Sequence, residues 1–437
     1  MYIYIRMTEI YNSSITTRLI DPVFDKAKFR SEFRLQPETV YLSNLRLLNT
    51  GIDSGTTTDL NGLLGTYGCI KSIQLYDGNQ LLDQLLQASV YNAWKSANNT
   101  NDANLSVNRF LKGNDLGYVV AGNTEVDSAV TPMPRPLKQD TVKVETQSYD
   151  NDETNKGWIS LQDMLPFLRA SIALPTNIYT HLRLVINWKS ASELKDVVGS
   201  TTGARAFALS TYENTVLVAD EMNASDTREQ LMMNYAGVAY RPIEHDSVSI
   251  PPITGIAQDG TSAQETSNMV KGFNGKKLNT LLLVNTPAEQ STWVDSGTDS
   301  NKTSYANQGS KSLYQPQVQV RVNGANKLAR NGLTGYNRRL GALVDAYGEV
   351  NLVVNQNVPK LADGSNYIDV DEIPDGQLDY TGLRVDDFIE ELIVDVNRTG
   401  VDTNADLNQR VTLNLFGEVN KQVVMRKDGR YNIVYSS

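Results

Sequence analysis

Two histidines and one cysteine carry all the imidazole and thiol chemistry in 437 residues: His181, His245 and Cys69. Acyl transfer needs a serine or cysteine nucleophile activated by a histidine beside it. His181 opens the stretch HLRLVINW on its polar side, and His245 lies in RPIEHDSVS, which reads as a loop. Both read as ordinary surface or interface histidines. No G-x-S-x-G motif occurs, and Cys69 opens a strand pattern, where it reads as a small buried hydrophobe. A lone cysteine also excludes an intramolecular disulfide and thiolate metal sites. The stretch GFNGKK would need a glycine at 270 and a Ser or Thr after Lys276 to cradle phosphate; Val270 and Lys277 stand there, so it reads as a turn. No catalytic, cofactor-binding or metal-binding residue is expected.

Charged clusters offer less specific chemistry. Asp369, Asp371, Glu372, Asp375 and Asp379 suggest calcium, but Ile373 occupies the fifth position and glycine comes too late for an EF-hand. A solvated acidic loop is the simpler expectation for 369–379. Asp386, Asp387, Glu390 and Glu391 flank Phe388, Ile389 and Leu392 and read as a half-exposed helix or strand edge. Arg321, Lys327, Arg330, Arg338 and Arg339 follow one another with no acid between them and with Tyr336 among them. They suit an anionic partner, foremost a neighbouring subunit's acidic loop, with a membrane or DNA as lesser alternatives, and otherwise a solvated surface face. With 40 basic against 50 acidic residues the net charge is −10, which argues against a chain built to grip nucleic acid.

These residues must be held by something, and the hydropathy says what. Val318, Val320 and Val322 alternate with Gln317, Gln319 and Arg321. Leu182, Leu184, Ile186 and Trp188 alternate with Arg183 and Asn187, and Val411, Leu413 and Leu415 with Thr412 and Asn414. Tyr41, Leu45 and Leu47 share one side of VYLSNLRLL, and Ile73 and Leu75 oppose Ser72 and Gln74. Period-2 alternation means half-buried strands of antiparallel sheets. Long polar loops between them, such as 97–104, 255–268 and 286–311, favour a sandwich or jelly roll. Helices are few: one over Asn79–Trp94, one opening at Ser225 or Asp226, and a short turn at Leu161–Phe167. Pro132, Pro134 and Pro136 mark a loop. The apolar share of 40% suffices for a large core, and no run of about 18 apolar residues spans a membrane. The opening MYIYIRMTEIYNSS lacks the features of a secretory signal.

The pattern occurs twice. IKSIQLYDGNQLLDQL and VQVRVNGANKLA share a strand, a glycine (Gly78, Gly324) and a polar-to-apolar continuation. A strand precedes each, Val40–Leu48 and Leu278–Val284. Downstream, MLPFLRASIALP leads to HLRLVINW and DDFIEELIVDV leads to RVTLNLFGEV. TVLVADEM and KQVVMRKDGRYNIVY then close the halves. The expected domains are 1–222, with an N-terminal arm over about 1–20, and 223–437.

A tandem of two jelly rolls of this length, carried by YLSNLRLLNTG, IKSIQLYDGNQLLDQL, LPFLRASIALPTNIYTHLRLVINW, KKLNTLLLVN, VQVRVNGANKLA and the C-terminal RVTLNLFGEVNKQVVMRKDGRYNIVYSS, resembles the double jelly-roll major capsid proteins of adenovirus-like, virophage, polinton-like and large DNA viruses. The resemblance implies an all-β, non-enzymatic structural protein without cofactors. It implies homotrimeric capsomers of pseudo-hexagonal outline that tile an icosahedral virion. Implied partners are neighbouring capsomers, penton and minor or cement proteins and possibly an internal membrane, with no specific nucleic acid binding. The ratio of 21 tyrosines to nine phenylalanines suits surfaces that become buried on assembly. Two rivals remain: a penton or minor jelly-roll protein, and a carbohydrate-binding or carbohydrate-active β-sandwich. The latter needs an aromatic platform, whereas Trp94, Trp158, Trp188 and Trp293 are scattered.

Overall fold

Alternating sequence becomes antiparallel sheet throughout the described residues. The computed structural model describes residues 15–48, 59–60, 65–99, 142–143, 158–189, 210–222, 238–251, 261–287, 317–328, 332–333, 336–348, 380–401, 410–426 and 430–436. The expected helix start at 225–226, the prolines at 132–136, the acidic loop 369–379, Arg330 and Trp293 lie outside them.

In the first half the strands are β1 (Ile15–Ile20), β2 (Val23–Asp25), β3 (Arg30–Arg34), β4 (Val40–Leu42), β5 (Arg46–Leu48), β6 (Asp59–Leu60), β7 (Ile70–Asp77), β8 (Gln80–Leu86), β9 (Val142–Lys143), β10 (Trp158–Ser160), β11 (Ala173–Pro175), β12 (Leu182–Trp188) and β13 (Val216–Met222). One sheet runs β1, β13, then β4 and β5 end to end, then β11 and β10 beside them. The facing sheet runs β2-β3-β12-β7-β8, and β6 pairs with β9. The second half holds β14 (Ala239–Tyr240), β15 (Ile243–Ile250), β16 (Thr261–Val270), β17 (Lys277–Pro287), β18 (Gln317–Val322), β19 (Ala325–Asn326), β20 (Tyr380–Phe388), β21 (Leu392–Val401), β22 (Val411–Val419), β23 (Lys421–Met425) and β24 (Tyr431–Tyr435). Its sheets run β15-β22-β17-β20 and β16-β21-β18-β19, with β14-β23-β24 as an addition.

Strand by strand the halves superpose in order. β1, β3, β4/β5, β7, β8, β10/β11, β12 and β13 correspond to β15, β16, β17, β18, β19, β20, β21 and β22, with the same neighbours in each sheet. Each half is an eight-position jelly roll of two four-position sheets packed face to face. The repeat read in the sequence holds through the glycine turns and slips by one strand afterwards. HLRLVINW corresponds to LIVDVNRTGV, and TVLVADEM to VTLNLFGEV. KQVVM and YNIVY form an extra hairpin with no counterpart among the described first-half strands.

Turn chemistry fixes the repeated hairpins. Val322 pairs with Ala325 across Asn323-Gly324, both at positive φ (52° and 78°), the type I′ turn that matches strand twist. Asp77 pairs with Gln80 across Gly78-Asn79, with Gly78 at φ 56°. Each turn clamps the strand beside it. The Asp77 carboxylate accepts the His181 N–H (2.7 Å) at the entry to β12. The Asn323 amide oxygen accepts the N–H groups of Glu390 and Glu391 (2.9 and 3.1 Å) at the entry to β21.

Several expectations need correction, among them the loop expected over 255–268, of which 261–268 belong to strand β16. The helix expected over Asn79–Trp94 begins only at Ala88, as α1 (Ala88–Asn99), because Gln80–Leu86 completes the hairpin as β8. The register shifts where Leu75 pairs with Asp83 and Tyr76 with Leu81, leaving Leu82 as an extra residue. That bulge buries Leu82 and Leu85, three apart, and so imitates a helical stripe. His245 is in strand β15, not a loop. Asp386–Leu392 takes the strand-edge alternative rather than the helix: it holds the end of β20, the crossing between the two sheets and the start of β21. The turn expected near 161–167 is present, as a 3-10 turn at Leu161–Asp163 and the short helix α2 (Pro166–Ala170). Residues 15–20, assigned to the arm in the sequence, form β1 on β13. A further helix, α3 (Tyr336–Tyr347), packs on β20, where Gly382 has no room for a Cβ against Leu343 and Tyr347.

The core of the second roll holds Val318, Val320, Val322, Leu413 and Leu415, and that of the first holds Leu182, Leu184 and Ile186, all as the alternation predicts. What alternation alone misses is that both faces of β17 and β22 are covered. Leu282, Val284 and Phe416 belong to the same buried cluster as the first-roll core. Asn414, expected on a solvated face, is buried and donates to the Thr286 hydroxyl (2.8 Å).

Candidate functional site

Among the described residues the densest chemistry lies at the seam where the first roll meets the second. β8 of the first roll lies along β15 of the second. The Tyr240 hydroxyl donates to the Leu82 carbonyl, and the Tyr431 hydroxyl donates to the Asp77 carboxylate (2.6 Å). Aromatic rings meet across the seam: Tyr91 with Phe416 (5.3 Å), Trp94 with Tyr347 (5.4 Å), Phe167 with Tyr240 (5.3 Å) and Tyr179 with Tyr431 (5.0 Å). Offset and edge contacts at such distances each contribute roughly 0.5–1.5 kcal/mol beyond burial. Burial, reinforced by nearby carboxylates, pushes the Tyr240 and Tyr431 hydroxyls far above the ordinary tyrosine value, so they remain donors.

A half-buried charge cluster sits beside the rings. Glu244 on β15 takes Lys276, Lys421 (3.1 Å) and the Tyr435 hydroxyl (2.7 Å). Burial opposes its ionisation, but the two ammonium groups and the hydroxyl outweigh that and hold its carboxyl below the usual range. Lys276 and Lys421 also stand over the Tyr435 ring, at 5.1 and 4.8 Å from its centre. Asp83, on the first-roll side, accepts the N–H of Phe167 in α2 (2.8 Å) and of Gln84 (2.9 Å). Complete burial outweighs those two hydrogen bonds and raises its carboxyl to about 7. His245 bonds the Asn414 amide oxygen (3.0 Å) and lies 5.0 Å from the Phe416 ring, and burial lowers its pKa. These groups join two faces of one chain. They form no nucleophile–base pair.

The sequence's other candidates disperse. His181 is exposed at the β12 entry, and Cys69 is fully buried, its thiol pushed up to about 12. Of the basic cluster, Arg321 forms a two-pronged pair with Asp395 (2.8 and 3.0 Å) and Lys327 reaches Asp387 (2.9 Å). Those acids come from β20 and β21, which is why a reading along the chain finds none between the bases. Arg338 is exposed and Arg339 is buried, so the five do not form one basic surface. Among the described residues no cluster of His, Cys, Asp or Glu is arranged to hold a metal, and no helix is long and apolar enough to cross a membrane. The continuous apolar runs Leu281–Val284 and Leu415-Phe416 carried the missed signal of the seam: a strand apolar on both faces is covered on both faces.

The opposite flank of the first roll is open. β1 is anchored on β13 by Thr17 to Asp220 (2.8 Å) and by Arg18 to Glu221. Yet Ile15 and Leu19 are 47% and 67% exposed, and Val23 is 65% exposed. A cleft of about 450 Å³ beside them is lined by Arg18, Leu19, Ile20, Asp21, Arg34, Gln36 and Tyr41.

No family model matches the chain, and no curated protein does. Solved structures do. A chain of the Sputnik virophage, solved by cryo-EM, aligns with TM-score 0.52 at 10% identity, over 97% of this chain and 89% of that one. The mavirus major capsid protein aligns with TM-score 0.51 at 10% identity, over 96% and 90%. The Faustovirus major capsid protein aligns with TM-score 0.51 at 7% identity, over 97% and 91%. The chain therefore has the double jelly-roll fold of viral major capsid proteins along nearly its whole length.

Proposed function

We propose that this chain is a major capsid protein whose role is structural: three copies form a capsomer, and capsomers tile an icosahedral shell. The observation that carries the reading is the joint match of both rolls, in one alignment covering 96–97% of the chain, to viral major capsid proteins. The rolls are assigned to 1–222 and 223–437. A penton-type role, which needs a single roll, fits poorly with two complete ones. A carbohydrate-binding role finds no platform in Trp94 and Trp188, which are buried. The role requires no catalysis and places the protein in the virion, in contact with neighbouring capsomers and minor shell proteins. Negative-stain imaging of the purified chain tests the reading. Particles with a three-fold, hexagonal outline are expected; dispersed single subunits at micromolar concentration would overturn it.

A further inference from the structure

The outer face of the first-roll sheet β2-β3-β12-β7-β8 carries a charge cluster that neither core nor seam uses. Arg34 on β3 and Arg183 on β12 stand directly opposite each other in the ladder. Like charges so placed repel, and a sheet built for stability alone avoids them. Arg30, Glu32 and Arg34 alternate with the buried Ser31 and Phe33 along β3, so they share the outer face with Arg183. Three guanidinium groups thus surround one carboxylate. The cluster has a net charge of +2 on a chain whose total is −10.

One carboxylate does not satisfy the three. Glu32 accepts a hydrogen bond from the Arg34 Nε–H (2.8 Å). Its other oxygen lies 3.5 Å from Arg30 and 3.6 Å from Arg183, longer than a good hydrogen bond to either. The Nε atoms of Arg30 and Arg183 are buried and have no hydrogen-bond partner among the described residues. Asp25, opposite Arg30 on β2, is taken up by its own turn: it accepts the N–H groups of Ala27 and Lys28 and pairs with the Lys28 ammonium (3.3 Å). The Arg183 guanidinium lies over the Tyr76 ring, 4.8 Å from its centre, which holds it in place from one side. On the counterpart sheet of the second roll, Arg321 has a carboxylate of its own, the two-pronged pair with Asp395 (2.8 and 3.0 Å).

We propose that Arg30, Arg34 and Arg183 form an oxyanion site on the outer face of the first roll, which takes a doubly charged phosphate group between Arg34 and Arg183. A guanidinium fork matches two phosphate oxygens at once, and arginine keeps its charge at any working pH. A dianion neutralises the +2 and turns the opposed Arg34 and Arg183 from repelling neighbours into two sides of one clamp. The chemistry is that of free phosphate or of a phosphate monoester. A nucleic acid backbone fits less well, since each of its phosphates carries one charge and the −10 of the chain repels a long polyanion. The inference does not rest on the capsid reading.

The test titrates the full chain calorimetrically with inorganic phosphate at pH 8, where phosphate is mainly doubly charged, against chloride of equal ionic strength. Thermal unfolding checks the fold of each variant. Arg34→Gln and Arg183→Gln should each weaken binding roughly fivefold, the factor that one charge about 4 Å away supplies in water. Arg384→Gln, at an exposed arginine that has Asp386 beside it, should leave binding unchanged. Glu32→Gln raises the local charge to +3 and should bind phosphate roughly fivefold more tightly, which a purely structural ion cluster does not do. Glycerol 3-phosphate separates the two sources: binding equal to that of phosphate assigns the site to a monoester on a larger molecule, and weaker binding assigns it to the free ion. Absence of phosphate binding in both the wild type and Glu32→Gln would overturn the inference, as would binding that survives Arg34→Gln and Arg183→Gln undiminished. Binding of a glutamate-rich peptide but not of phosphate would overturn it too, and would give the surface to an acidic protein partner.

Discussion

Asp83 is one side chain through which the seam responds to pH. Its carboxyl is raised to about 7 because it is fully buried, so between about pH 4 and pH 7 the folded chain holds a proton that the unfolded chain has lost. Stability contributed by this group is therefore present below pH 4 and is lost as pH rises to 7. Urea midpoints measured at pH 5 and pH 8 should show that decline in the wild type and a flatter profile in Asp83→Asn, which lowers the pH 5 value by losing one of two N–H acceptors. An unchanged pH slope in Asp83→Asn would contradict the assignment. Packing gives a second residue-scale prediction. A Cβ on Gly417 would come within 2.6 Å of Leu278 and Phe273, so Gly417→Ala should cost roughly 1–3 kcal/mol of stability by overpacking. Leu184→Ala, which empties a fully buried site, should cost about 2–5 kcal/mol, read in the same denaturation experiment. At this scale the sequence told which side of a strand a residue occupies, since Leu184, Val320 and Leu415 needed only alternation. It could not tell that His245 and Asn414 meet, because 169 residues separate them and only the β15–β22 ladder brings them together.

Among the elements, the C-terminal hairpin has the most individual role. β23 and β24 carry Lys421, Tyr431 and Tyr435, which reach Glu244 and, across the seam, Asp77. Tyr431→Phe removes one hydrogen bond to a carboxylate and should cost about 1–3 kcal/mol. The cost should appear as earlier protease access at the seam, with the cores of both rolls still protected in hydrogen exchange. Equal loss of protection in both cores would show instead that the rolls unfold as one unit. In sequence the hairpin reads as the last strand of the repeat because KQVVM and YNIVY alternate like any other strand. Only the pairing of β22 with β15 and β17 shows that the roll is already closed before it. The misplaced helix start has a comparable cause. Leucines three apart mean a helix stripe in an unbroken chain, and mean a strand when a bulge takes up the extra residue. The glycines Gly78 and Gly324 were legible as equivalent points of the repeat, but the two-residue loops they form, Gly78-Asn79 and Asn323-Gly324, show themselves only once β8 and β19 are seen to pair back.

At the scale of the whole molecule, charge and duplication act together. A net charge of −10 on each chain makes free copies repel, and the Debye length falls from about 10 Å at 0.1 M salt to about 3 Å at 1 M. Contacts between capsomers, read as the rise in sedimentation rate, should therefore strengthen with added salt; weakening would mean that attraction between opposite charges dominates them. The jelly-roll class and the doubling were legible because every roll must repeat the same alternation and the same turns. The seam was not, because it depends on which faces of two rolls meet, a relation carried by no local period. The central claim is that three copies form one capsomer, and the mass of the purified chain in solution tests it most directly. Multi-angle light scattering at micromolar concentration and moderate salt should return three times the 48.4 kDa of one chain. A monodisperse species of 48.4 kDa that persists across salt and concentration would contradict it.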